Sequence, residues 1–159
     1  MDWEARLAQL WAAIDDYEPV EFLEEMRALT SERPPGDAVA LFELAGAHDS
    51  TGHEDEAAVL YRSALDAGLS GLRRRRAIIQ MASTLRNLGK PEESLALLTA
   101  ERDAGSDELD DAVVAFTALA LADLGREKEA IAMTVLALSR HLNRYNRSLK
   151  SYSEDLSLS

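Results

Sequence analysis

Antiparallel helix pairs stacked one after another are the all-α architecture that the sequence predicts, and three observations predict it. Of the residues, 47% are hydrophobic but only 6% aromatic. That bias, rich in Ala and Leu, favours helices packed through small side chains over sheets of β-branched and aromatic residues. Gly52, Gly89 and Gly125 lie 37 and then 36 residues apart. Around each of them, small and large apolar residues recur at helical spacing on both sides, so each glycine reads as the turn of a helical hairpin. A period of this size belongs to helix pairs stacked as a solenoid.

The elements follow in order. Trp3, Leu7, Leu10, Trp11 and Ile14 form one helical stripe, and Phe22, Leu23, Met26 and Leu29 supply the facing one. Pro19 suits a first helical turn, where its missing N–H costs nothing, and Glu18, Glu21, Glu24 and Glu25 favour the positive end of that helix. Residues 1–33 are therefore expected to be a divergent capping pair. Pro34, Pro35 and Gly36 break the helix and Asp37 is placed to cap the next. The first full repeat spans 38–68, with Leu41, Leu44, Ala45 and His48 before Gly52 and Ala57, Leu60, Tyr61, Ala64 and Leu65 after it. The second spans 71–104, with Ile78, Met81, Ala82, Leu85 and Leu88, then Gly89 and a restart at Pro91. The third spans 107–142, with Val114, Thr117, Ala118, Leu121 and Leu124 before Gly125, then Ala130, Met133, Thr134, Ala137 and Leu138. Leu142, Tyr145, Leu149, Tyr152 and Leu156 recur at 3, 4, 3 and 4, predicting a C-terminal cap helix over 143–157 with Arg140, Arg144, Arg147 and Lys150 on its outer side.

Length and composition bound the rest. A chain of 159 residues is expected to form one domain, 1–159. It has no cysteine, which excludes a disulfide framework, a thiolate nucleophile and a Cys-based zinc site, and a reducing cytosol suits it. The N-terminus carries acids where a secretory signal carries bases, and no apolar run approaches the roughly 18 residues of a membrane span. A cytoplasmic location without membrane contact is expected. Net charge is −12 and unevenly spread: residues 1–66 hold 16 acids and 4 bases, and the remainder 13 of each. Such a chain repels phosphate backbones, so nucleic acid is not an expected partner.

The spacing of Leu44 with Ala45, Gly52, Ala57, Tyr61 and Ala64 with Leu65 resembles the tetratricopeptide repeat. Ala118, Gly125, Ala130, Ala137 and Leu138 match it in the third unit, and the second departs from it at Ser94 and Glu101. The chain is similar to the small bacterial tetratricopeptide repeat proteins of group 5 over about residues 3–150. The resemblance implies a right-handed α-solenoid of about four pairs plus the C-terminal helix. It also implies a non-catalytic, cofactor-free adaptor that presents a concave groove to a peptide or helix of a partner protein. In this numbering the groove wall would carry Val39, Phe42, Gly46 and Asp49, then Arg76, Ile79, Ser83, Arg86 and Asn87, then Ala112, Ala115, Leu119 and Ala122. Arg76, Ile79, Ser83 and Arg86 share one helical face, where guanidinium groups could grip carboxylates above an apolar floor. The alternative for these arginines is local pairing with acids such as Asp49 and Asp123. Co-chaperone members of the fold hold an acidic tail with Lys and Asn at places occupied here by Phe42 and Gly46, so that clamp is absent. The alternative function is a self-associating structural protein, a homodimer in which the acidic half of one copy meets the basic C-terminal helix of another.

Other constellations carry less. Arg73 to Arg76 splay around one helical turn and read as a mostly solvated helix start. His48, Asp49, His53 and Glu54 could in principle approach a divalent metal, but His48 falls at a packing position and His53 on a turn, so no metal is expected. No phosphate loop or nucleophile motif occurs, and the chain is not expected to be an enzyme.

Overall fold

The computed structural model describes residues 2–158, and among them every regular element is helical. The helices are α1 (Trp3–Ala12), α2 (Pro19–Thr30), α3 (Ala38–Ser50), α4 (Glu54–Asp66), α5 (Gly71–Asn87), α6 (Pro91–Ala104), α7 (Asp110–Asp123), α8 (Glu127–Ser139) and α9 (Asn146–Ser157), with a 3-10 turn at Ile14–Asp16. Neighbouring helices pack in sequence order. The turn glycines have the conformation expected of them: Gly52, Gly89 and Gly125 lie at φ 80°, 74° and 71°, where a side chain is strained.

The chain divides into two compact units, residues 1–84 and 85–159. In the first, Leu7 of α1 joins Phe22, Leu23, Met26 and Leu29 of α2 and Ala47 of α3 in one core, with Trp3 and Trp11 packed against it. Asp37 caps α3 by accepting from the Ala40 N–H at 2.9 Å, and it pairs with Arg33 at 2.9 Å. The Arg33 hydrogen bond, with help from the cap, holds the Asp37 carboxyl below its ordinary range against the effect of burial. Ala45, Ala57, Tyr61 and Ala64 are wholly buried, so α3 and α4 approach through alanine and enclose one large ring.

In the second unit, Ala118 and Leu121 of α7 and Ala130 of α8 form a core against Leu95 and Met133. α9 packs along α8. The apolar stripe expected on α9 is split: Leu149 and Leu156 are half-buried, while Leu142, Tyr145 and Tyr152 are exposed. Tyr145 takes a left-handed φ of 72° and the helix starts only at Asn146, which separates Leu142 from the helical register. The buried arc then centres on Leu149, Ser153 and Leu156, and Tyr152 falls at its edge.

The arginine run also departs from expectation. Arg74 and Arg76 are exposed, but Arg75 is buried and Arg73 is half-buried. Consecutive helical residues point about 100° apart, so a run at the start of a helix packed on one side must place at least one arginine inward.

Candidate inner-wall site

In the first unit the residues expected on the inner wall lie on α3 and α5. Phe42 is 2% exposed and stands 6.2 Å, centroid to centroid, from the buried Tyr61 ring. Tyr61 donates its hydroxyl to Asp49 Oδ2 at 3.3 Å, and the Thr84 hydroxyl donates to Asp49 Oδ1 at 3.1 Å. Burial raises the Asp49 carboxyl above its ordinary range, opposed by these two donors. Burial likewise raises the Tyr61 phenol, and the Asp49 charge adds to the effect.

Arg76 lies over this network, its guanidinium carbon 5.3 Å from the Phe42 ring centroid. That is a cation–π distance, and it holds the charge in place without neutralising it. Arg76 is exposed and, among the described residues, forms no ion pair. Arg86 differs. In the second unit its Nε pairs with Asp123, the local partner that the sequence offered as the alternative. Asp49 is engaged by Thr84 and Tyr61 instead of Arg76.

The remaining predicted wall residues divide by exposure. Val39 and Ser83 are half-buried, and Ile79, like Phe42, is covered from solvent. Asn87 is exposed on the last turn of α5. On α7, Ala115, Leu119 and Ala122 are exposed and Ala112 is half-buried.

Several neighbouring contacts were not legible beforehand. Glu43 is 4% exposed and accepts from Trp11 Nε1 at 2.8 Å and Arg73 Nε at 3.2 Å. Arg73 also grips both oxygens of Glu4, at 3.1 and 2.6 Å, and that hydrogen bonding raises its pKa. A Cβ placed on Gly46 would stand 3.3 Å from the Trp11 ring, so α1 closes over α3 at this glycine. A glycine in the middle of a helix costs about 1 kcal/mol relative to alanine, and that cost was the one signal in the sequence that another element approaches there.

His48 and His53 do meet, their rings edge to face at 5.7 Å. His48 is buried, and burial, followed by the charges of Arg27 and His53, lowers its pKa. Among the described residues no group of three or more His, Cys, Asp or Glu side chains could hold a metal ion. No helix among them is long and apolar enough to cross a membrane.

The family model described as Tetratrico peptide repeat, group TPR_5, matches residues 38–156. No curated protein matches the chain, and no solved structure does. The matched span begins at α3 and runs into α9, covering most of the chain and leaving the α1–α2 pair before it. Helix pairs turning at Gly52, Gly89 and Gly125, alanine at their contacts and a family match over that span lead to one conclusion: the chain belongs to this tetratricopeptide repeat family.

Proposed function

We propose that the protein is a non-catalytic protein-interaction module that takes an acidic peptide or helix of a partner on the inner wall of its first unit. The observation that carries this reading is Arg76, an exposed guanidinium held against the Phe42 ring and, among the described residues, in no ion pair. A cation already oriented loses little further freedom when it grips a carboxylate, and a charge-assisted bond of that kind is stronger than a neutral one. Val39 and Ser83, half-buried on the same two helices, supply the edges of the seat, and Phe42 and Ile79 keep its floor rigid. Arg86 contributes less to binding because Asp123 already satisfies it. The family supports a protein-binding role in general.

The test is an array of short peptides that vary in acidic and apolar content and carry a free terminal carboxylate. The wild type retains a subset rich in acids. Arg76→Glu, with unchanged helicity, loses that subset by at least roughly tenfold, which is about 1.4 kcal/mol, and Arg76→Lys loses part of it because an ammonium cannot grip a carboxylate with two parallel N–H groups. Equal retention by wild type and Arg76→Glu, or no retention by either, overturns the reading.

A further inference from the structure

Counted from their turn glycines, Ala115, Ala118, Leu119, Ala130, Ile131 and Thr134 of α7–α8 stand where Phe42, Ala45, Gly46, Ala57, Ala58 and Tyr61 stand in α3–α4. In α3–α4 that face is covered by the chain's own α5: Phe42, Ala45, Ala57 and Tyr61 are all buried, Arg76 lies on the Phe42 ring and Thr84 bonds to Asp49. In α7–α8 the same face is open. Leu119 is 44% exposed, Ile131 52% and Leu138 56%. Between Leu119 and Ile131 lies a hollow of about 560 Å³, and none of its eight lining residues is charged. α9 does not cover it, because Ser153, Glu154 and Ser157 of that helix line a different cavity, one shared with α6.

From these positions we infer that the α7–α8 face is a self-association surface, covered by the same face of a second copy of this chain across a two-fold axis. The choice of occupant follows from charge. The exposed sides of the chain's other helices carry Glu21, Glu24 and Glu25 on α2, Asp55 and Glu56 on α4, and Arg147 and Lys150 on α9. Laid on the uncharged hollow, any of them would lose water with no counter-charge to meet. The hollow of another copy brings only uncharged lining residues into the contact, with Asp111, Glu127 and Lys128 one helical turn away at its rim. It offers Leu119, Ile131 and Leu138 as projections and Ala115 and Ala122 as recesses, the self-complementary arrangement that a two-fold interface requires. This surface uses none of the residues of the Arg76 seat, and it differs from the pairing of acidic and basic segments that the charge distribution suggested.

Sedimentation velocity of the full chain tests the inference. The wild type forms a dimer as concentration rises to about 200 µM, well into the range where a modest interface is occupied, and the dimer persists or strengthens as sodium chloride is raised. Ile131→Glu and Thr134→Arg, both on exposed positions, weaken it by at least tenfold with unchanged circular dichroism, and Tyr152→Glu on α9 leaves it intact. A wild type that stays monomeric at every concentration overturns the inference and leaves the face to a different chain. A dimer that dissolves with salt, or one that survives both Ile131→Glu and Thr134→Arg, overturns it equally.

Discussion

The α3–α4 and α7–α8 pairs turn on equivalent glycines and place alanines at equivalent contacts, but they finish the same face with different chemistry. α3–α4 presents Phe42, Tyr61 and Asp49, which are large or polar and each require a particular neighbour: the ring of one packs on the other, and the carboxylate needs the Tyr61 and Thr84 hydroxyls. α7–α8 presents Ala115, Thr134 and Ala122 at those places and requires none. A face with buried polar groups is specific because a wrong neighbour leaves those groups unsatisfied, whereas an uncharged alanine face discriminates only by shape and dryness.

Paired substitutions in the two faces sharpen this contrast. The largest effect is expected at Tyr61, where truncation to Ala empties the centre of the face and removes a donor from Asp49; a loss of about 3–5 kcal/mol follows from the size of the ring. Thr134→Ala, at the equivalent place in α8, changes stability by less than about 0.5 kcal/mol because its side chain is exposed. Urea unfolding of both variants at a dilution that keeps the chain monomeric compares them, and similar losses would mean that the two faces are equally buried. Next, Ala45→Leu overpacks a wholly buried contact and costs about 1–3 kcal/mol, against a nearly neutral Ala122→Leu on α7. The midpoints of thermal unfolding report the difference.

The smallest effect concerns pH. The folded Asp49 carboxyl titrates above its ordinary value, so the folded state holds that proton more tightly than the unfolded chain. Its contribution is complete below the ordinary carboxylate range and is lost as pH rises through the folded value. Asp49→Asn keeps an acceptor for one hydroxyl and cannot titrate, and the stability of this variant should therefore fall less than that of wild type between about pH 4 and neutrality. Parallel profiles for the two proteins would assign the pH dependence to another group.

Helical period and turn chemistry made the elements legible. Gly52, Gly89 and Gly125 marked the hairpins, Pro19 and Pro91 marked helix starts, and Asp37 caps the helix it was expected to cap. Which side chains would be accessible on the inner wall was less legible. Spacing showed that Arg76, Ile79, Ser83 and Arg86 share a face, but exposure along that face depends on what else packs there. Arg86 finds Asp123 37 residues away, and Arg73 finds Glu4 69 residues away. Contacts at such separation arise from the packing of helices, which a period of three to four residues does not encode. The same reason explains Arg75: its burial is a property of the neighbour that α5 meets, since nothing in the run of four arginines distinguishes one from the next.

Both tryptophans of the chain, Trp3 and Trp11, belong to α1. Each donates its indole N–H to an acceptor outside that helix, Trp3 to the Leu29 carbonyl at 2.9 Å and Trp11 to Glu43 at 2.8 Å. Intrinsic fluorescence excited at the indole band therefore originates in one ten-residue segment. An emission shift to the red records the undocking of that segment, and circular dichroism, which sums over every helix, records the loss of the rest. Disagreement between the two signals during denaturation would expose a state in which the first helix has left α3 while the repeats still stand.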